Sequence, residues 1–186
     1  GVMHIDLLSA SAHKINGPKG VGILYVRRRN PRVRCEALLH GGGHERGLRS
    51  GTLNVPGIVG MGAAATLPIT KGIGILRDRL ESGLCSRLDA TINGHRSERL
   101  QTTTNLSFSG VDGAKLMKRL PELAVSSSSA CTSAMLQPSY VLGAMGLSDE
   151  RIRGSVRFSL GRFTSTEEID AAVTLVSESV KAMLRD

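Results

Sequence analysis

Short apolar runs separated by turn residues organise the first part of this chain. Ile5 to Ser9 reads as a short buried strand that runs directly into Ser9-Ala-Ser-Ala-His-Lys14. Val21 to Val26 (VGILYV) is a continuous apolar run of strand length, the kind that lies deep in a sheet covered on both faces. Between the two, Asn16-Gly17-Pro18-Lys19-Gly20 predicts a turn, because Gly and Pro supply the backbone angles a reversal needs. Helical spacing follows over Asn54 to Thr66 and Ile75 to Leu88, with Pro68, Gly72 and Gly74 interrupting a longer continuation. Farther on, strands and helices alternate. Asn105 to Phe108 and Leu123 to Ser126 predict strands, and Gly113 to Leu120 a short helix. Ser155 to Leu160 alternates, with Val156, Phe158 and Leu160 facing one way and Arg157 and Ser159 the other. Ser165-x-x-Glu168 is a capping box opening a last helix, whose apolar positions are Ile169, Val173, Val176, Val180 and Leu184. The pattern is α/β or α+β, without an internal repeat or coiled-coil heptads.

At 186 residues and 40% hydrophobic residues, the chain is long enough to bury a core and close to average globular usage. No run reaches the roughly 18 apolar residues of a membrane helix. The net charge of +8 raises the question of nucleic acid. Aromatic residues make up only 3%, too few for a base-stacking platform, so nucleic acid is not the expected partner. Arg27, Arg28, Arg29, Arg32 and Arg34 read as a solvated strand end. The three cysteines, Cys35, Cys85 and Cys131, are widely spaced with no CxxC pair. That argues against a disulfide framework and a zinc site and favours a reducing, cytoplasmic setting.

A few residues carry candidate chemistry. Lys14 ends a strand, has small neighbours and enters a Gly-Pro turn. A desolvated lysine there would have a lowered pKa and a nucleophilic nitrogen suited to Schiff-base formation. Ser11 and His13 alternate beside it and suit an anion such as a phosphate. Taken alone, the same pattern fits an ordinary surface lysine. Cys131 sits among small residues on a loop, where a thiol is accessible, although a small buried hydrophobe looks the same. Cys85 falls in a helical pattern and Cys35 in a strand-like one, both with plainer readings. Arg157, on the polar side of its strand, presents a fork that matches a carboxylate, and it also suits a surface ion pair. Leu39 to Thr52 has five glycines in fourteen positions, a density only a loop tolerates. Its His40, His44, Arg46 and Arg49 could meet an anion, with metal a weak alternative.

Taken in order, the motifs Ser-x-Ser-x-His-Lys with Gly-Pro-Lys-Gly, His-Gly-Gly-Gly-His-Glu-Arg-Gly-x-Arg-Ser-Gly-Thr, Ser-Ser-x-Ser-Ala-Cys-Thr-Ser and Arg-Phe-Ser-Leu-Gly-Arg-Phe-Thr resemble the NifS/IscS type of cysteine desulfurase. The resemblance implies an α/β, fold-type I enzyme that uses pyridoxal phosphate (PLP) and is usually a homodimer. It implies that Lys14 forms the Schiff base with the cofactor. Ser11 and His13 would bind the cofactor phosphate, with Thr52 contributed from the partner subunit. Cys131 would take sulfur from the substrate L-cysteine as a persulfide, releasing L-alanine, and Arg157 would hold the substrate carboxylate. No metal is implied. Residues 1–70 would be the C-terminal part of the PLP-binding large domain, and residues 71–186 a small α/β domain carrying the cysteine loop.

The similarity begins just before the lysine motif, so the family's N-terminal half has no counterpart in this chain. That half supplies the histidine that stacks on the pyridine ring and the aspartate that pairs with its nitrogen. The expectation is a chain that works with a separate N-terminal half and not alone. The alternative is a non-catalytic truncated remnant that dimerises or binds a partner. Ser128 and Ala12 stand where glycines are common, and the helical stretch around Pro68 to Gly74 is more broken than in relatives. The chain stops at Asp186, before the tail through which many relatives dock an iron–sulfur scaffold protein.

Overall fold

The computed structural model describes residues 3–67, 71–126 and 139–185. The chain divides into two units, residues 1–69 and 70–186.

In the first unit, β1 (Leu7–Ser11) pairs antiparallel with β2 (Gly22–Val26), Leu7 opposite Val26 and Ser11 opposite Gly22. The pairing is close. A Cβ on Gly22 would sit 2.6 Å from the Ala10 carbonyl oxygen. A single 3-10 turn, Ala12–Ile15, follows β1 and ends at Asn16, whose φ of 64° is left-handed. The Gly17 amide then donates to the Ala12 carbonyl at 2.8 Å, so the chain reverses directly after Lys14. α1 (Val55–Thr66) begins where the Asn54 side chain accepts from the Gly57 amide at 3.1 Å, an N-cap of the usual kind. It packs against the turn, because a Cβ on Gly60 would lie 2.7 Å from Pro18 Cγ.

Both strands were expected to be buried, and neither is. Leu7, Ile23, Leu24 and Tyr25 are each about half exposed or more, and Ile23 and Leu24 lie on opposite faces of the ribbon. The reason is physical: an apolar run on both faces calls for a layer on each side, and a two-stranded ribbon provides neither. The strand-like stretch around Cys35 is irregular, with Cys35 half-buried. Of the basic stretch, Arg28, Arg29, Arg32 and Arg34 are exposed. Arg27 is the exception: its Nε donates to the Ile5 carbonyl at 2.9 Å and pairs with Asp6 at 3.2 Å.

The second unit is a three-stranded sheet packed against helices. α2 (Ile73–Cys85) leads to β3 (Ala90–Ile92), β4 (Thr103–Phe108) and α3 (Gly113–Lys118). After residue 138 come α4 (Tyr140–Ala144), α5 (Asp149–Arg153), β5 (Ser155–Ser159) and α6 (Thr166–Met183). The strands are antiparallel in the order β3-β4-β5. Leu80 and Leu84 of α2, Leu106 and Phe108 of β4, Val156 of β5 and Val176 and Val180 of α6 meet in one core. The helix pair is close, since a Cβ on Gly83 would lie 2.9 Å from Val173 Cγ2. The capping box at Ser165 forms as expected, with Ser165 Oγ and Glu168 Oε2 each accepting from the other's amide at 3.2 and 2.9 Å. Ile169, Val173, Val176 and Val180 are buried, but Leu184 is 55% exposed, because the helix ends before it. Leu123 to Ser126 forms no strand; only Ser126 bridges to β5. The short elements β3, α4 and α5 had no clear periodicity to announce them.

Two part-buried contacts, an ion pair and a guanidinium–carbonyl hydrogen bond, tie residues 95–101 to α2. Arg99 donates to both oxygens of Glu81 at 2.6 and 2.8 Å, and Arg77 donates to the Leu100 carbonyl at 3.0 Å. Gly154 is equally constrained, since a Cβ there would sit 2.6 Å from the Phe108 carbonyl oxygen and 3.0 Å from that of Val111. Gly154→Ala is expected to destabilise this unit by roughly 1–3 kcal/mol through overpacking against rigid backbone. Urea unfolding should show a lowered midpoint with an unchanged slope.

Candidate functional site

In the first unit, Lys14 is carried by the strand-turn. β1 delivers Ser11, the 3-10 turn carries His13 and Lys14, and fully buried Ala12 anchors the turn from beneath. Gly17 follows because a Cβ there would stand 3.0 Å from both the Ala12 Cβ and its carbonyl oxygen. Ser11 makes no capping hydrogen bond to the turn, and Ser11, His13 and Lys14 are all exposed. A nucleophilic lysine of the kind expected at Lys14 needs desolvation. The described residues leave the side chain in the open, so its surroundings do not supply that effect.

The glycine-rich stretch in the same unit closes on itself. Leu39 bridges to Arg49, the Ser50 amide donates to the Leu39 carbonyl at 3.1 Å, and Ser50 Oγ donates to the His40 carbonyl at 2.8 Å. Glu45 and Arg46 both take left-handed angles, with φ of 51° and 60°. A compact loop with joined ends of this type is an Ω-loop. It presents His44, Arg46 and Thr52 exposed. Among the described residues, no three His, Cys, Asp or Glu side chains group to hold a metal ion.

Arg157 lies in the second unit, at the middle of β5. Its neighbours Val156 and Phe158 point into the core, so it lies on the opposite face of the sheet. On that face it stands in a row. Asn105 is its partner on β4, and Asn93 is hydrogen-bonded next to Asn105 through its backbone amide at 2.8 Å. On the other side, Ser126 exchanges both backbone hydrogen bonds with Arg157, at 2.6 and 3.1 Å. The Arg157 guanidinium also donates to Ser126 Oγ at 3.3 Å. Ser126 immediately precedes the segment that carries Cys131. Cys131 itself and Ser128 lie outside the described residues. The Cys85 thiol is pushed up by partial burial, with Arg96 pulling the other way.

Ser126, Asn93, Asn105 and Arg151 were not given roles from sequence. The signal was present in β4, where Thr103, Asn105 and Ser107 alternate with Thr104, Leu106 and Phe108. That alternation describes a polar second face, but only strand pairing shows that the face is shared with Arg157.

The sequence pattern of the class-V aminotransferases matches residues 2–172. The chain belongs to that family. Among class-V aminotransferase relatives, it is 55% identical over 190 aligned positions to the cysteine desulfurase IscS of Tolumonas auensis, covering 99% of this chain and 46% of that protein. It is 54% identical to IscS of an Anaeromyxobacter strain, covering 97% of this chain and 46% of that protein. The chain therefore spans about half the length of the curated relatives it matches. Two solved class-V structures share its fold. One NifS-like protein superimposes with a TM-score of 0.81 at 35% identity, covering 97% of this chain and 47% of its own. The NifS-like protein of Rickettsia africae also gives 0.81, at 29% identity, covering 95% and 48%. The α/β, PLP-dependent type of fold expected from the motifs is thus the observed one. Among the described residues, no helix is long and apolar enough to cross a membrane.

Proposed function

We propose that this chain carries the C-terminal catalytic half of a PLP-dependent cysteine desulfurase, acting on L-cysteine. The observation that carries the reading is the two-way backbone pairing of Arg157 with Ser126. It fastens a carboxylate-matching fork to the root of the segment bearing the nucleophilic thiol. In this reading Arg157 fixes the substrate carboxylate, and the Cys131 thiol receives the substrate's sulfur. The C–S bond of L-cysteine breaks and an S–S bond forms. Two thiols become one persulfide on Cys131 and one L-alanine, so sulfur is oxidised and carbon reduced without an outside reagent.

The donor set at the strand-turn fits PLP. Lys14 offers a primary amine for the aldehyde, and Ser11 and His13 offer hydroxyl and imidazole donors for the phosphate, with Thr52 joining from a partner subunit in a homodimer. When bound, the cofactor supplies the electron sink. Lys14 holds it and moves protons at the substrate carbon. Desolvation of Lys14, and layers over the half-exposed strands, would come from the N-terminal half that the relatives carry. The persulfide would pass to an acceptor such as an iron–sulfur scaffold protein.

The test has two readouts. PLP with borohydride reduction should leave a pyridoxyl group on the Lys14 peptide by mass spectrometry. The chain co-expressed with the N-terminal part of an IscS relative should convert L-cysteine to equimolar alanine and sulfide under a reductant. Cys131→Ser should lower that turnover by at least a hundredfold while leaving the Lys14 label in place. No turnover in a well-formed, PLP-loaded complex would refute the reading. One observation favours a second reading: the open apolar faces of β1 and β2 also suit a non-catalytic module that dimerises or binds a partner. A stable complex that holds neither PLP nor activity would select it.

A further inference from the structure

The polar row on the second sheet face has a direction, and Arg151 sets it. A guanidinium can only donate, and Arg151 donates to Asn93 Oδ1 at 2.6 Å. The Asn93 amide is thereby oriented with its Nδ2 toward β4, where it donates to Asn105 Oδ1 at 2.6 Å and to Ser107 Oγ at 2.8 Å. Ser107 Oγ in turn donates back to the Arg151 carbonyl at 2.7 Å, closing a ring of hydrogen bonds between α5, β4 and Asn93, the residue that follows β3. Asn93 and Ser107 are buried within it, so the ring is shielded from competing water.

The consequence falls on Asn105. Its oxygen is committed to Asn93, so its Nδ2 is the atom left over, and that group has no partner among the described residues. Asn105 and Arg157 are directly opposed across β4 and β5 on the same face, a separation of about 5 Å between Cβ atoms. Among the described residues, the Arg157 guanidinium spends one N–H, on Ser126 Oγ. The face therefore offers two adjacent sets of donors, an oriented amide N–H₂ and a guanidinium, with no carboxylate paired to either among the described residues.

We infer that Asn105 is a second substrate ligand, its Nδ2 donating to the same amino-acid carboxylate that Arg157 holds, with Asn93 and Arg151 as positioning residues that fix the amide's orientation. The inference rests on the carboxylate role proposed above for Arg157. A carboxylate has lone pairs for both donors, and an amide whose orientation is preset by a buried ring loses little freedom on binding. Two contacts from adjacent strands also fix the carboxylate's rotation, which a single fork on a long side chain does less well.

The test is made on the full 186-residue chain labelled with nitrogen-15, titrated with L-alanine and, as the probe lacking a carboxylate, L-alaninamide. The Asn105 side-chain N–H₂ signals and the Arg157 Nε–H signal should move with L-alanine at one common midpoint, and neither should move with L-alaninamide. Asn105→Ala should weaken L-alanine binding at Arg157 roughly tenfold, the loss expected for one hydrogen bond to a charged group. Asn93→Ala, which frees the Asn105 amide to turn, should weaken it by a smaller factor. Movement of Arg157 with Asn105 unmoved would overturn the inference while leaving the carboxylate role of Arg157 intact. If neither signal moves, that role and the inference fall together. The wild-type titration requires no variant to fold, so it decides the question by itself.

Discussion

Truncating Arg99 to alanine is expected to cost the second unit roughly 3–5 kcal/mol, the usual penalty for stranding a buried charge. Glu81 is only 5% exposed and depends on Arg99 for both of its carboxylate oxygens. Without that fork the carboxylate must be buried unpaired or take up a proton, and residues 95–101 lose their main tie to α2. Against a typical domain stability of about 5–15 kcal/mol, such a loss is a substantial fraction of the total. Chemical denaturation followed by circular dichroism measures it directly. Replacing both partners with apolar residues, Arg99→Met with Glu81→Leu, should recover most of the loss, because no charge is then left without a partner. If the single truncation proves as mild as a surface change, the pair is solvated in solution and the argument fails.

The same contact gives the unit an acid-sensitive element. Burial alone would push the Glu81 carboxyl up, but hydrogen bonding to Arg99 and Thr104 and the charges of Arg99 and Arg77 outweigh it and hold the group below the usual carboxylate range. A folded-state value below the unfolded one adds stability that is fully present above the ordinary Glu value of about 4.3. That stability is lost as pH falls through the folded value. Denaturation midpoints measured from pH 6 down to about pH 3 should fall more steeply for the wild-type chain than for the double apolar variant.

The second large effect concerns the first unit. In the chain alone, amides of β1 and β2 are expected to exchange at least about a thousandfold faster than those of β4 and α6, a gap of ~4 kcal/mol in opening free energy. The second unit closes a core of Leu, Val, Ile and Phe side chains around its sheet. In the first unit, by contrast, the buried apolar side chains among the described residues are Ala12, Met61 and Ala64, and a two-stranded ribbon is marginal in water without a covering layer. Adding the N-terminal part of an IscS relative should raise protection in β1 and β2 toward that of β4, and should protect the Lys14 turn with them. Mass-spectrometric hydrogen exchange reads both states. Strong protection of β1 and β2 in the chain alone would show that the ribbon is already covered, for example by a second copy. That result would remove the need for an N-terminal half to cover the ribbon.

Most of the second unit was legible from the amino-acid order, since its long elements obey strong local rules. α6 begins where Ser165 and Glu168 cap each other, and Val156, Phe158 and Leu160 face the core as their alternation required. Local rules weaken for short elements, so β3, α4 and α5 were missed, and Leu123 to Ser126 was read as a strand although only Ser126 pairs. In the first unit, the apolar runs correctly marked strands but not their exposure. A run of Ile, Leu and Tyr states that a surface needs covering, and says nothing about whether the cover belongs to the same chain. The chemistry divides in the same way. Lys14, Cys131 and Arg157 stand out by residue type and motif, because the Schiff base, sulfur transfer and carboxylate clamp proposed for them each demand a particular functional group. The link between Arg157 and Ser126, and the orientation of Asn105 by Asn93 and Arg151, depend on which strands become neighbours. Those residues lie 31 to 58 positions apart in Arg157–Ser126 and Arg151–Asn93. Hydrogen bonds over such separations are set by sheet register, which only the packing of the whole unit decides.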